Sequence, residues 1–209
     1  MRVTSGGHTF TGAARRAQIV AATIDTIAEL GYNQASFARI AARAGLSSTR
    51  LISYHFAGKD ELMAAVLAEV LGELSRHMTE QVGAAPDARG RLRAYITGLV
   101  GFVAGHRARM KAVMEIFLHP RGERAFYGPE QDGDTLRHLE AILRDGQERG
   151  EFRPFDTFVM AAAIQRSIDG LPFLLQTRPE LDLKVYAREL ATAFDLATRA
   201  SAGLTPSPP

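Results

Sequence analysis

The chain has 209 residues, of which 46% are hydrophobic and 23% are charged, and it contains no cysteine. This composition is typical of a globular protein, and the lack of cysteine excludes disulfides and thiolate metal sites. The formal net charge is +2, but the charge is unevenly distributed. Residues 1–60 hold seven basic and three acidic residues, whereas residues 61–209 hold 18 basic and 20 acidic residues. The N-terminal quarter is therefore expected to meet an anion such as nucleic acid.

Targeting and membrane signals are weak in this sequence. The first twelve residues, MRVTSGGHTFTG, have no apolar core of signal-peptide length. The longest nearly apolar run, residues 98–105, is far shorter than the ~20 residues that cross a bilayer as a helix. We therefore expect a cytoplasmic protein with no membrane partner.

The spacing of apolar residues is helical along most of the chain, and no segment shows the alternation of a β-strand. Residues 1–12 are polar and rich in glycine, and we expect them to form a disordered arm. The first helix is predicted over residues 13–30, and Gly31 is its natural C-terminal stop.

Two short helices are predicted next. The first of them begins at the N-cap Ser36 and ends at Gly45, and the other covers residues 48–55, with Ser47 as its cap. Two short helices joined by a Gly-containing turn are the helix-turn-helix pattern. Residues 13–60 are therefore predicted to form a DNA-binding domain.

The third helix carries more polar side chains than contact with a core requires. Leu51, Ile52 and His55 are expected to face inward, which leaves the polar residues for the DNA major groove. Arg50 is expected to read a base, because arginine binds guanine bidentately, although a phosphate contact or a solvated side chain also fits. The hydroxyl residues expected to bond phosphates or waters are Ser47, Ser48, Thr49 and Ser53.

A larger helical body is predicted over residues 61–200, and residues 201–209 form a tail that is disordered by composition. Residues 83–90 break the body, and residues 119–133 are expected to be an irregular loop. Gly170-Leu171-Pro172 is expected to bend the helix that contains it, because proline removes a backbone hydrogen bond. The predicted helices of this part are 59–81, 91–105, 108–118, 135–149, 157–176 and 183–200.

Sequence motifs of catalysis and metal binding are not found. The six histidines have no paired helical spacing, and there is no Gly-rich phosphate loop, no Gly-x-Ser-x-Gly motif and no recognisable carboxylate pair. We therefore predict no enzymatic activity, no catalytic residue, no metal and no cofactor.

The helices over 91–118 and 157–176 are expected to enclose a pocket for a small-molecule effector. Methionine and phenylalanine at helical spacing also suit an ordinary core, and Arg166 and Asp169, three residues apart, also suit an ion pair. The predicted effector contacts are Phe102, His106, Met110, Met114, Phe117, Gln165, Arg166, Asp169 and Phe173.

Residues 13–65 resemble the DNA-binding region of the TetR family of bacterial transcriptional regulators. The features that match, in order, are Gly31-Tyr32, Ser36, Ile40-Ala41, Ala44-Gly45, Tyr54-His55-Phe56, Lys59 and Leu62. The resemblance implies a phosphate contact for Tyr54, although packing on the fourth helix also fits. Lys59, at the start of that helix, and Ser36 are interpreted as phosphate anchors, although a solvated Lys59 also fits. The resemblance also implies a homodimer formed by the last two helices, a palindromic double-stranded DNA operator and a repressor released by an effector. The predicted fold is thus all-α, an N-terminal three-helix helix-turn-helix domain followed by a larger ligand-binding and dimerisation domain.

One departure from the family pattern concerns the third helix. Gly45 and Phe56 are eleven positions apart, whereas ten is the commonest spacing in the family. One extra residue turns the following side chains of a helix by ~100°. Either the residues Ser47-Ser48-Thr49 absorb it, or the helix presents a shifted face to DNA.

Other interpretations of the sequence remain open. The helix-turn-helix is only structural if the chain is an enzyme or a small-molecule-binding protein, and an activator or a ligand-independent regulator has the same motifs as a repressor. Arg2, Arg15 and Arg16 belong either to an arm near the minor groove or to a mobile N-terminus.

Overall fold

The structure, a computed structural model, describes residues 7–119 and 129–200, and the side chains of residues 12–119 and 133–200. These residues form ten α-helices, one 3₁₀ turn (Tyr32–Gln34) and no named β-strand, which confirms the predicted all-α class. The helices are α1 (Gly7–Leu30), α2 (Phe37–Arg43), α3 (Arg50–His55), α4 (Lys59–Gly83), α5 (Ala88–Gly105), α6 (Arg107–Phe117), α7 (Pro129–Glu148), α8 (Thr157–Asp169), α9 (Leu171–Thr177) and α10 (Leu183–Thr198).

Helix α1 begins earlier than the sequence predicted. It starts at Gly7, so residues 7–12 are helical rather than part of a disordered arm. Once a helix is nucleated, each added residue gains a hydrogen bond at little further cost, which allows the helix to extend through residues of low propensity. Residues 1–6 and the predicted tail, 201–209, lie outside the described residues.

Two other helix boundaries also differ. Helix α7 starts at Pro129, inside the predicted irregular segment 119–133, and proline suits a first helical position because its missing N–H has no intrahelical partner there. Residues 120–128 of that segment lie outside the described residues. The helix predicted over 157–176 is interrupted at Gly170, and α9 follows with Pro172 in its first turn. Pro172 cannot donate a hydrogen bond to the preceding turn, which accounts for the interruption.

The chain divides into two compact units that do not follow the predicted boundaries at residue 60 and at 83–90. The first unit holds the described residues up to Glu73 together with 106–119, and the second holds 74–105 and 129–200. The break at 83–90 therefore lies inside the second unit. Helix α6 belongs to the unit of the helix-turn-helix because it packs along α1.

The core of the first unit joins α1, α2, α3, the start of α4 and α6. Ile19 and Ile27 of α1 and Ile116 of α6 are fully buried. Two threonines of α1 are buried as well, and their hydroxyls donate to carbonyls of the preceding turn: Thr23 to Ile19 (2.7 Å) and Thr26 to Ala22 (2.6 Å). These bonds satisfy the hydroxyls, which would otherwise be costly to bury.

The second unit is built on α5, which packs against α10 and α7. Ile96 and Val100 of α5, Leu139 of α7 and Ile164 of α8 are fully buried. Gly146 of α7 lies directly against other residues, since a Cβ there would overlap the ring of Phe152. The absence of a side chain at this position thus sets how closely these segments approach.

One helical stretch of the described residues, 157–177, is long enough and apolar enough to cross a membrane, with a mean hydropathy of 1.3 over its 18-residue window. A core helix of a soluble protein passes the same test, so a single such stretch is weak evidence of a span. Only 28% of that window is buried in the chain. From the sequence, only the run 98–105 was considered as a possible membrane span.

Candidate functional site

The helix-turn-helix is held by local backbone chemistry. The Ser36 hydroxyl accepts a hydrogen bond from the backbone N–H of Arg39 (3.4 Å), which caps α2 as predicted. Gly45, just after α2, has φ +63°, a left-handed conformation that suits glycine. The Leu46 N–H then bonds the Ala41 carbonyl (2.9 Å) and closes the turn.

Helix α3 begins at Arg50, two residues later than predicted, and its first turn is capped differently. The Ser48 hydroxyl accepts from the Arg50 N–H (3.1 Å), whereas Ser47 was expected to cap this helix. Thr49 occupies the N-cap position without a side-chain bond to the helix. Ser47, Ser48 and Thr49 therefore lie in the turn, and all three are at least partly exposed.

The outward face of α3 is polar. Only Ile52 is buried in α3, all of whose residues are described, and Arg50, Ser53 and Tyr54 are exposed. Tyr54 is 82% exposed, a large fraction for an aromatic side chain. Leu51, which was expected to face inward, is instead 36% exposed. A short helix with one buried anchor and several exposed polar side chains suits a helix that enters the major groove.

Lys59 does not point its ammonium into solvent. Its Nζ donates to the Tyr32 carbonyl (2.9 Å) and lies 4.2 Å from the Tyr32 ring centroid. The Tyr32 ring also stacks on His119, which follows α6, at 4.9 Å and 14°. The backbone N–H of Tyr32 donates to Glu115 Oε2 of α6 (3.1 Å). The 3₁₀ turn is thus held by α4 on one hand and by the end of α6 on the other.

Two arginines of α2 were not predicted from the sequence to belong to this surface. Arg39 donates to the Gln34 side chain (2.6 Å), and Arg43 forms an ion pair with Glu29. Both line a shallow surface depression between α1 and α2, together with Thr26, Leu30 and Ala42. The sequence signal that could have indicated this surface is the four-residue spacing of Arg39 and Arg43, which places both arginines on one face of α2.

The residues predicted to contact an effector fall in both units. In the first unit, His106, Met110, Met114 and Phe117 are all half-buried, on α6 or directly before it. The Arg109 guanidinium donates to Glu73 Oε2 (2.6 Å), and His106 Nε2 lies 3.5 Å from Glu73 Oε1.

In the second unit the predicted residues differ in exposure. Phe102 and Gln165 are buried, and Phe173 is 45% exposed. Arg166 donates to Asp169 Oδ2 (2.6 Å), which is the ion pair that the sequence left open as an alternative.

Gln165 links this ion pair to the core of the second unit. Its Nε2 donates to Asp169 Oδ1 (2.7 Å), and its Oε1 accepts from the buried hydroxyl of Tyr95 (2.6 Å). Tyr95 was not predicted, because its partner lies 70 residues away in sequence. Among the described residues no group of three or more His, Cys, Asp or Glu is arranged to hold a metal ion.

Comparison with known proteins identifies the family. Residues 19–66 match the model described as bacterial regulatory proteins, tetR family. An uncharacterized HTH-type transcriptional regulator of Mycobacterium tuberculosis is 30% identical over 182 residues, which cover 85% of this chain and 91% of that protein. The chain belongs to the TetR family. The resemblance of residues 13–65 to this family is thereby confirmed.

Other TetR-family members extend the comparison. The regulator BetI of Klebsiella pneumoniae is 33% identical over 119 residues, covering 56% of this chain and 60% of BetI, so the alignment spans less than two thirds of that relative. The crystal structure of FadR from Bacillus subtilis, in complex with stearoyl-CoA, superposes with a TM-score of 0.74 at 22% identity, covering 85% of this chain and 96% of FadR. That likeness shows the shared fold.

Proposed function

We propose that this TetR-family protein is a homodimeric repressor of the bacterial cytoplasm that binds a palindromic DNA operator and is released by a small-molecule effector. The observation that carries the proposal is the exposed polar face of α3, on a helix anchored by the buried Ile52. The proposal gives Arg50 the base contact. It gives phosphate or water contacts to the hydroxyl residues of this surface, namely Ser36, Ser47, Ser48, Thr49, Ser53 and Tyr54.

The dimer is supported by large apolar side chains that the second unit leaves exposed. Phe158 and Val159 of α8 are 55% and 61% exposed, and Leu196 of α10 is 55% exposed. Isolated exposed apolar residues are ordinary, but a set on the last helices of the chain favours a partner of the same kind. A two-fold axis would give two copies of α3 and hence a palindromic site.

A route for the effector response begins at α6, because this helix lies in the unit of the helix-turn-helix. Glu115 bonds the Tyr32 N–H, and His119 stacks on the Tyr32 ring. A ligand that contacts half-buried side chains of α6, such as Met110 or Met114, would act directly on the unit that carries α3. The coupling requires different ligand affinities in two states, typically about 1–3 kcal/mol. FadR from Bacillus subtilis, which shares the fold, is seen in complex with a small molecule, stearoyl-CoA.

The test is fluorescence anisotropy of the purified protein on labelled fragments of the DNA that flanks its own gene, at several salt concentrations. Wild type is expected to bind one fragment selectively, with an affinity that falls steeply as salt rises. Arg50→Ala is expected to lose about tenfold to hundredfold in operator affinity, the range of one bidentate base contact. The control is Arg93→Ala, which removes an exposed arginine of α5 in the other unit.

Two results would overturn these assignments. If wild type shows no salt-sensitive binding to any fragment, the chain is better explained as a ligand-binding protein or enzyme with a structural helix-turn-helix. If binding is selective but Arg50→Ala equals Arg93→Ala, another face of α3 reads the bases. The dimer is tested by sedimentation of Val159→Glu, which is expected to shift toward the monomer mass while the exposed-surface control Ala68→Glu does not.

A further inference from the structure

Two side chains of α1 hold the ends of both helices of the helix-turn-helix. Gln18 Nε2 donates to the carbonyl of Ala44, the C-cap of α2 (2.7 Å). Arg16 Nη1 donates to the carbonyl of His55, the last residue of α3 (2.7 Å). The last carbonyls of a helix have no intrahelical partner, so each of these two bonds satisfies an otherwise unpaired acceptor at a helix end. Both side chains precede the residues matched by the family model.

The guanidinium of Arg16 makes two further contacts, one with Phe56 and one with Glu61. Its Cζ lies 4.1 Å from the ring centroid of Phe56, a residue that is 1% exposed. Its Nη1 is also 3.4 Å from Glu61 Oε1, and Oε2 of the same carboxylate accepts from the Ala57 N–H (2.7 Å). One guanidinium therefore joins α1 to the end of α3 and to the first turn of α4.

Helix α3 itself makes little apolar contact with the core. It is six residues long, and Ile52 is its one buried side chain. With a single apolar anchor, a short helix retains rotational freedom about that anchor unless an end is fixed. A positive charge at a helix C-terminus is also favourable to the helix dipole.

We propose that Arg16 is a positioning residue for operator recognition, which orients α3 by binding the His55 carbonyl and Phe56 instead of binding a DNA phosphate. This inference rests on the proposed DNA-binding function. It replaces both alternatives that the sequence left open for Arg16, an arm near the minor groove and a mobile N-terminus. The guanidinium lies over the Phe56 ring and faces Glu61, so we expect its effect on DNA binding to pass through the helix that reads the bases.

The two roles differ in their salt dependence. A phosphate contact releases about one counterion, so its loss makes the negative slope of log K against log salt less steep by about 0.9 and weakens binding to all DNA sequences alike. A positioning residue leaves that slope unchanged and lowers the affinity for the operator more than the affinity for unrelated DNA.

The experiment compares Arg16→Gln, Arg16→Lys and Arg93→Gln on the operator and on an unrelated duplex, at several salt concentrations. We expect Arg16→Gln to lower operator affinity about tenfold at unchanged slope and unchanged non-specific affinity, the size of one charge-assisted hydrogen bond. Arg16→Lys keeps the charge but loses the planar guanidinium, so its operator affinity should lie between those of Arg16→Gln and wild type. Arg93→Gln is the matched control, because it removes the same charge from an exposed position of α5 in the other unit.

Circular dichroism at the assay temperature confirms that each variant is folded before binding is measured. A reduced slope with equal loss on both duplexes would overturn the proposal, and so would an operator-to-unrelated ratio equal to that of wild type. These outcomes are distinct from failure of the proposed function, in which wild type itself does not discriminate between the two duplexes.

Discussion

The ammonium of Lys59 donates a hydrogen bond of 2.9 Å to the carbonyl of Tyr32 and lies 4.2 Å from the centroid of the Tyr32 ring. The first residue of α4 is thereby tied to the 3₁₀ turn that joins α1 and α2. The sequence predicted a DNA phosphate as the partner of Lys59. The half-buried position of Lys59 and its bond to Tyr32 indicate a structural role.

Replacing Lys59 by methionine keeps the apolar part of the side chain and removes the ammonium. We expect the free energy of unfolding to fall by about 1–2 kcal/mol, because a cation–π contact and a hydrogen bond to a charged donor are lost. Urea titration measures this, with Lys111→Met on the exposed surface of α6 as the control. If Lys59→Met leaves stability unchanged but makes the slope of log K against log salt less steep by about 0.9, Lys59 contacts a DNA phosphate instead.

Gly45 is predicted to be required for the turn between α2 and α3. Its φ of +63° lies in the left-handed region, and a Cβ added there would meet no atom within 4 Å, so backbone strain alone sets the cost. Gly45→Ala should destabilise the protein by about 1–2 kcal/mol, and Gly45→Asn by less, because asparagine tolerates this conformation. Gly58→Ala, equally open but without a positive φ, is the control and should change stability by less than about 0.5 kcal/mol. Equal unfolding midpoints for the two alanine variants would contradict this account.

The sequence predicted the features that local chemistry determines. The Ser36 cap, the Gly45 turn and the buried Ile52 follow from spacing and propensity within a few residues, and all three are present. The all-α class was predicted correctly for the same reason, and the TetR family was predicted correctly from the resemblance of residues 13–65. The DNA and effector contacts themselves remain predictions.

The features that were missed depend on residues far apart in sequence. Lys59 meets Tyr32 across 27 positions, Arg16 meets His55 across 39, and the Tyr32 N–H meets Glu115 across 83. Such bonds leave no periodic trace in a single sequence. The membership of α6 in the first unit was missed for the same reason, since it follows from packing against α1.

Any side chain at Gly146 is predicted to destabilise the protein for steric reasons. A Cβ at this position would overlap the Phe152 ring and lie 2.9 Å from the Ala88 Cβ. Gly146→Ala should therefore destabilise the protein by about 2 kcal/mol despite the better helix propensity of alanine. At Gly101, inside α5, an added Cβ would meet no atom within 4 Å. Gly101→Ala should therefore stabilise the protein by about 0.5–1 kcal/mol.

Thermal or urea unfolding of these two glycine variants gives the comparison directly. Combining Gly146→Ala with Phe152→Leu should recover part of the loss, because the effects of residues in contact are not additive. Stabilisation by Gly146→Ala of the same size as that by Gly101→Ala would show that the approach of α7 to Phe152 is not tight.

The last prediction concerns Asp145, which joins α5 to the end of α7. Its carboxylate accepts from Arg149 Nε (2.9 Å) and pairs with Arg91. Burial alone would raise the pKa of Asp145, but the hydrogen bonds and charges of Arg149 and Arg91 outweigh it, so the pKa lies below its ordinary value of 3.8. A lowered pKa contributes stability that is present above 3.8 and is lost as the pH falls through the folded-state pKa.

Asp145→Asn is therefore expected to lower the urea midpoint at about pH 7 and to approach wild type as the pH is lowered below 3.8. Asp25→Asn, which removes an exposed carboxylate of α1, serves as the control. If the Asp145→Asn difference persists undiminished at about pH 2.5, the residue stabilises the fold by packing. A difference that closes in the acid range shows instead that the ionised carboxylate, held between two arginines, fastens α7 to α5.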